Sequence, residues 1–240
     1  MILHRQQYGT SVIFPPVFVK RIYFCPGVCY DTSTMDINYQ KQMDKIVAAL
    51  RGRQPRLLLQ SCCGPCSSAV LETLTRYFDV ALFWYNPNIY PQSEFNKRFE
   101  NQIKVIEDMG YADRVQVMAA PWKHEEYLAR VKGLEDEPEG GERCTACFRL
   151  RLNQTAQTAA KYGFEWFCTT LTVSPHKDAA RINAIGEEIG RAYGVKFLPS
   201  DFKKRDGYKR STELSRQYGI YRQNYCGCEF SIPQAEEPAD

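Results

Sequence analysis

Ten cysteines in a 240-residue chain constrain this sequence more than any other feature, because most of them fall in three tight groups. The groups are Cys62-Cys63-Gly64-Pro65-Cys66, Cys144-Thr145-Ala146-Cys147 and Cys226-Gly227-Cys228. In a short secreted protein so many cysteines would signal a disulfide framework. This chain is too long, too helical in pattern and too poor in loops for such a scaffold. At 44% hydrophobic and 25% charged residues it is ordinary globular material, which excludes disordered, collagenous and coiled-coil classes. The expectation is therefore a cytoplasmic protein whose cysteines bind metal or carry electrons.

A membrane span needs a run of about 18 apolar residues, and the sequence has none. The segment Val12-Ile-Phe-Pro-Pro-Val-Phe-Val19 is short, is broken by Pro15 and Pro16 and lacks a small-residue cleavage site, so it does not read as a signal peptide. Residues 1–34 show no helical period and read as a poorly ordered extension. They carry Cys25 and Cys29, expected to be incidental thiols, and His4. Met35 reads as a natural start, because an amphipathic helix begins just after it.

From there strands and helices alternate. Helices are expected over Asp36–Leu50, Ser67–Tyr77, Gln92–Met109, His124–Lys132, Cys144–Tyr162 and Asp178–Tyr193. Strands are expected over Arg56–Gln60, Val80–Tyr85, Val115–Ala119, Glu165–Val173 and Val195–Leu198. Such alternation implies βαβ units and a parallel sheet in one α/β domain over residues 35–231, Rossmann-like with three layers. Beyond Leu198 the chain turns basic and aromatic, and residues 232–240 form an acidic tail.

Ligands of open α/β sheets sit at the carboxyl ends of the strands. Cys62 and Cys63 occupy that position after the first strand, where a phosphate-binding loop would need glycines and a following Lys-Ser/Thr. Thiols in their place favour a soft metal over a phosphate. Cys144-x-x-Cys147 begins a helix, whose dipole lowers thiol pKa and whose first turn presents both sulfurs on one side. That pair suits a redox couple, half a zinc site or half an iron–sulfur site. Together the two pairs supply four thiolates, which fit tetrahedral zinc or a [4Fe–4S] cluster equally well. Cys66 is a fifth thiol that a closed zinc site does not need. For Cys226 and Cys228, a tight turn at Gly227 would allow a strained, labile disulfide, and a metal-ligand pair or two free thiols are the alternatives. Cys168, inside a core strand, reads as a buried thiol.

The net charge of +3 excludes a wholly electrostatic nucleic-acid binder, yet it hides a local strip. Lys203, Lys204, Arg205, Lys209, Arg210, Arg216 and Arg222 interleave with Phe202, Tyr208, Tyr218, Tyr221 and Tyr225. Cations neutralise phosphates and aromatic faces stack unpaired bases, which suits a single-stranded RNA loop; a solvated helix with inward tyrosines is the plain alternative. Two loops at the active edge of the sheet, residues 85–91 and 169–177, add polar groups. There Ser174 and His176 could meet an anion, while a simple surface histidine serves as well. His124 reads as the start of a helix.

Ser61-Cys62-Cys63-Gly64-Pro65-Cys66-Ser67, Arg143-Cys144-Thr145-Ala146-Cys147-Phe148-Arg149-Leu150-Arg151-Leu152, Thr169-Thr170-Leu171, Ser174-Pro175-His176-Lys177 and Gly219-Ile220-Tyr221-Arg222-Gln223-Asn224-Tyr225-Cys226-Gly227-Cys228 together resemble epoxyqueuosine reductases of the QueH type. The resemblance spans about Met35 to Ser231. It implies an adenine-nucleotide α-hydrolase-like fold and an oxidoreductase that reduces epoxyqueuosine to queuosine at the wobble base of tRNA, the last step of queuosine synthesis, without cobalamin. It implies that Cys62, Cys63, Cys144 and Cys147 hold a [4Fe–4S] cluster and that Cys226 and Cys228 form a redox-active pair. Some members carry Asp where this chain has Cys66, and a second, additional iron is associated with that position. The implied partners are a tRNA anticodon loop carrying epoxyqueuosine, met by Ser174, His176, Lys203, Lys204, Lys209, Arg210, Tyr221 and Arg222, and an external electron donor. Two rivals remain open. A tRNA-thiolating ATP pyrophosphatase would need a Ser-Gly-Gly-type loop that Ser61-Cys62-Cys63-Gly64 lacks. A zinc-bearing RNA-binding module would be colourless.

Overall fold

The computed structural model describes residues 37–232 of the chain. The 1–34 extension with Cys25, Cys29 and His4, the Met35 start and the acidic tail from residue 233 onward lie outside the described residues. The strands are β1 (Arg56–Gln60), β2 (Asp79–Trp84), β3 (Gln116–Ala119), β4 (Trp166–Thr169) and β5 (Lys196–Phe197). The helices are α1 (Tyr39–Ala49), α2 (Gly64–Leu74), α3 (Gln92–Asp108), α4 (His124–Val131), α5 (Glu142–Lys161), α6 (Ala179–Tyr193) and α7 (Gly207–Gln217).

The sheet has five strands in the order β3-β2-β1-β4-β5, and every neighbouring pair is parallel. The order reverses beside β1, so the switch point lies between β1 and β4. The register aligns Gln60 with Phe83 on one side and with Thr169 on the other. Successive side chains of a strand point to opposite faces. Leu57 and Leu59 accordingly join a core with Met43 of α1, Val70 and Leu71 of α2, and Phe95 and Ile106 of α3. Leu58 joins a second core with Phe148, Leu152 and Ala156 of α5 and Ile182 and Ile185 of α6. Helices thus cover both faces, giving the three-layer α/β arrangement that the alternation predicted. All three leucines are fully buried, worth roughly 1.5–3 kcal/mol each.

The structure corrects several boundaries, each for a local reason. The strand expected to run to Val173 stops at Thr169. There the Thr169 hydroxyl accepts the Leu171 N–H at 3.1 Å and turns the chain into a 3-10 segment over Thr170–Val173. Helix α2 begins at Gly64 rather than Ser67, because Pro65 fits the first helical turn. That shift puts Cys66 inside the helix. The first helix starts at Tyr39, where the Asn38 side chain accepts the Lys41 N–H. Most of the basic stretch folds as α7, packed on α2. No described helix is long and apolar enough to cross a membrane.

Two glycines of α6 face β5, and one of them sets how close helix and strand come. A Cβ on Gly186 would lie 2.5 Å from the Phe197 ring. Just beyond β5, the Asn183 side chain exchanges two hydrogen bonds of 2.8 Å with the Ser200 backbone, which fixes the chain on its way to α7. Gly186→Ala is therefore expected to cost about 1–3 kcal/mol, since the Phe197 ring is locked in the core. Urea unfolding should show a lower midpoint at unchanged slope, and an unchanged midpoint would refute the close approach.

Candidate metal centre

The site grows from the carboxyl ends of β1, β2 and β4. Gln60, fully buried at the end of β1, ties them together. Its Nε2 donates to Tyr85 O at 3.3 Å and to Asn86 Oδ1 at 3.1 Å, and its Oε1 accepts from the Thr169 hydroxyl at 2.8 Å. Asn86 Nδ2 returns a bond of 2.8 Å to Ser61 O. This network fixes the backbone just before Cys62. Ser61 Oγ in turn donates to Gln102 Oε1 of α3 at 2.7 Å.

Cys62, Cys63 and Cys66 bring their sulfurs within 4.8 Å of one another, a set able to hold a metal ion. The sulfurs of Cys62 and Cys63 are 3.7 Å apart. The Cys62 sulfur also lies 3.6 Å from the Thr170 hydroxyl across the switch point. Bonds from Cys63 and Cys66, helped by the Arg151 and Lys177 charges, hold the Cys62 thiol well below its ordinary range. Sharing that arrangement pushes Cys63 up to about 12 and raises Cys66 well above the usual thiol value. One thiolate is thus favoured among the three sulfurs.

Cys144 and Cys147 stand in the first turns of α5. Gly140 N donates to the Cys144 sulfur at 3.1 Å. Burial raises the Cys144 thiol and pushes Cys147 up to about 12. The loop before α5 is shaped by the buried Arg143, whose Nη1 donates to the carbonyls of Leu134, Glu135 and Glu137. Arg181 of α6 braces the same loop through Gly140 O at 2.6 Å and Thr145 Oγ1 at 3.0 Å.

Cys226 and Cys228 are free thiols that share one cavity with Cys144, Cys147, Arg151 and Lys177. Gly227 between them has φ of +125°, a conformation that side chains disfavour, and a Cβ there would lie 2.9 Å from Arg98 Nη1. Arg98 is 1% exposed and donates to Cys226 O at 3.1 Å and Tyr225 O at 3.4 Å, while Glu94 accepts from its Nε at 2.7 Å. Tyr90 N donates to Gly227 O at 2.8 Å. Beyond the pair, His124 lies between two acceptors, Pro87 O at 2.8 Å and Glu229 Oε2 at 3.1 Å, and stacks on Trp122. The glycine of the Cys-Gly-Cys turn is therefore required twice, by its backbone angle and by the guanidinium beside it.

Two cations sit among the thiols. Burial alone would depress Lys177, but Cys226, Cys62 and Cys66 facing it raise it. Arg151, 2% exposed, is likewise raised against its burial by Cys147, Cys62 and Cys226. Cys144, Cys147, Cys226 and Cys228 line one cavity with these two cations, and Cys62 acts on both cations, while the described cysteines within 4.8 Å of one another are Cys62, Cys63 and Cys66 rather than the predicted set of Cys62, Cys63, Cys144 and Cys147. Arg151 Nε is buried without a hydrogen-bond partner, although Nη2 reaches Asn86 Oδ1 at 2.8 Å. A buried cation surrounded by soft donors and holding an unused N–H fits an anionic thiolate–metal group. The donor set therefore suits an iron–sulfur cluster on chemical grounds.

Of the predicted nucleic-acid residues, His176 lines the same cavity as Cys144, Cys147, Cys226 and Cys228, and Lys203 reaches Lys177 O at 3.5 Å, while several others are engaged elsewhere within the fold. Arg210 forms a bidentate pair with Glu72, with both contacts at 2.8 Å. Lys203 reaches Asp201 at 3.0 Å, and Lys204 reaches it at 4.0 Å. The Tyr221 hydroxyl lies 3.2 Å from both Glu94 oxygens, with Lys97 over its ring. Arg222 leans on Ser215 Oγ at 3.2 Å. Lys209 and Arg216 are exposed, Ser174 caps the turn at His176, and His176 is exposed. Cys168 is fully buried and donates to Leu198 O at 3.4 Å, in line with its reading as a core thiol.

Sequence reasoning missed Gln60 and Arg98 as parts of the site and His124 as a brace for the Cys-Gly-Cys turn; it quoted Arg151, Thr170 and Lys177 within its motifs but gave them no part in the site. One signal was available. Arg151 falls on the face of α5 that carries Cys144, Cys147, Phe148 and Leu152, and a charge among core positions of an amphipathic helix is anomalous.

Comparison with known proteins places the chain. The family model described as "Epoxyqueuosine reductase QueH" matches residues 57–234. The protein of that name from Staphylococcus epidermidis is 44% identical over 201 residues, covering 81% of this chain and 84% of its own. The one from Streptococcus pyogenes serotype M1 is 41% identical, covering 81% and 78%. The one from Thermotoga maritima is 41% identical, covering 75% and 92%. The solved U34-tRNA thiolase NcsA from Methanococcus maripaludis with its [4Fe-4S] cluster matches 80% of this chain and 68% of its own at a TM-score of 0.48 and 13% identity, too remote to inform the chemistry. With a matching family model over most of its length and relatives above 40% identity along three quarters of it, the chain belongs to the epoxyqueuosine reductase QueH family, a family of oxidoreductases.

Proposed function

We propose that this chain reduces the epoxide of epoxyqueuosine in the wobble position of tRNA to the alkene of queuosine. The observation that carries this reading is the gathering of three cysteine groups around the buried Arg151 and the half-buried Lys177 at the switch point of the sheet. In this reading Cys62, Cys63, Cys144 and Cys147 hold a [4Fe–4S] cluster, with Cys66 at the edge of the set where an additional iron would bind. When bound, such a cluster supplies Lewis acidity toward an oxygen or a route for single electrons. No cobalamin enters the scheme.

Deoxygenation of an epoxide takes two electrons and two protons, and gives one alkene and one water. The Cys226/Cys228 dithiol supplies that sum: two S–H bonds break, one S–S bond forms, and the two C–O bonds of the epoxide are lost. An external dithiol-class donor then reopens the disulfide. The Arg98 bonds to Tyr225 O and Cys226 O, and the Tyr90 bond to Gly227 O, hold the two thiols on one tight turn. His124 and Glu229 pin the chain just beyond it, so closure of the pair needs little loss of freedom. Lys177 presents a cation to the same space, where it can stabilise negative charge developing on the departing oxygen.

For the tRNA, the exposed Lys204 and Lys209 of the basic strip serve as phosphate contacts, with Lys203, Arg210, Tyr221 and Arg222 shaping the surface. Ser174 and His176 lie on the loop leading to Lys177, where the anticodon loop would meet the site.

Cys226→Ser is expected to keep its metal content and its tRNA affinity while multiple-turnover reduction falls at least ~100-fold, about 2.7 kcal/mol of barrier. Full turnover in that variant would remove the dithiol from the scheme. The double variant Lys204→Ala/Lys209→Ala should weaken tRNA binding and lower the slope of log K against log salt by about 2. An unchanged slope would move the RNA contact elsewhere.

A further inference from the structure

We infer that Arg151 is the positioning residue that donates its unused N–H to the anionic group held by the cysteines and, through its fixed charge, sets how readily that group accepts an electron. This rests on the cluster reading above and extends it.

Four observations carry the inference. Arg151 lies one turn beyond Cys147 on the same face of α5, so its stem runs along the helix directly beneath the thiol. It is 2% exposed and lies on the face of α5 that also carries the buried Phe148 and Leu152. An isolated buried guanidinium is costly unless an anion faces it. The anionic groups acting on it are the sulfurs of Cys147, Cys62 and Cys226, drawn from three different parts of the chain. Finally, the guanidinium is aimed and not merely stored. Nη2 is fixed to Asn86 Oδ1 at 2.8 Å, and Asn86 is itself fixed by Gln60 and Ser61 O, whereas Nε is buried and unpartnered.

A fixed positive charge beside an anionic redox group stabilises the reduced, more negative state. Loss of the charge must therefore lower the potential. Arg151→Met and Arg151→Lys separate the charge from the packing, since Lys keeps the charge and loses the planar fork.

The test is an EPR-monitored redox titration of the anaerobically purified full chain, with iron and sulfide counted in each sample. Arg151→Met should lower the equilibrium constant for one-electron reduction at least tenfold, equivalent to 59 mV, while Arg151→Lys stays near the wild type. Two outcomes overturn the inference: a potential in Arg151→Met equal to that of the wild type, or an equal shift in both variants, which marks a residue that only packs. If Arg151→Met binds no iron, loading becomes the readout. Restored iron in Arg151→Lys supports the charge requirement, and a folded but empty Arg151→Lys overturns it. A wild-type chain without iron overturns the cluster reading itself.

Discussion

The amide of Gln60 is the joint on which this molecule turns. Parallel pairing delivers the carboxyl ends of β1, β2 and β4 to one place, and a buried strand end there leaves backbone carbonyls that need donors. The two N–H groups of Gln60 are shared among Tyr85 O, Ser61 O and Asn86 Oδ1, and its oxygen accepts from the Thr169 hydroxyl. Three parts of the site hang from that joint. Ser61 leads into Cys62, Asn86 holds Arg151, and Thr169 starts the turn that carries Thr170.

Above this floor the sheet presents sulfur where a nucleotide-binding relative of the fold would present glycine N–H groups. The exchange has an electrostatic logic. A phosphate brings its own charge and wants donors, whereas thiols become anionic only when a cation or a metal favours the thiolate. Arg151 and Lys177 supply the cations, one from α5 and one from the loop before α6. The Cys-Gly-Cys turn is built differently. Arg98 donates to carbonyl oxygens next to the thiols, so it fixes the shape of the turn.

Much of this was legible in the sequence. The alternation of apolar runs and amphipathic stretches gave every strand and six of the helices, with errors only at the ends. The first cysteine motif falls, as the alternation implied, at the carboxyl end of β1. What the sequence could not show was which cations serve the site. The strip from Lys203 to Arg222 drew attention because its charges cluster along the chain, yet Arg210 and Lys203 are matched by Glu72 and Asp201, residues distant in sequence or overlooked beside the lysines. Arg98 looks ordinary in a linear reading, and only tertiary packing brings it to the Cys-Gly-Cys turn. The Thr169 hydroxyl that ends β4 early is likewise a local competitor that an apolar run conceals.

The most direct test is mass spectrometry of nucleosides from tRNA bearing epoxyqueuosine, after incubation with the anaerobically purified chain and a dithiol reductant in the absence of cobalamin. The account predicts conversion to a nucleoside lighter by a single oxygen atom, queuosine, over repeated turnovers. Unaltered epoxyqueuosine from a folded, iron-loaded protein, or from one that purifies colourless with stoichiometric zinc, would contradict it.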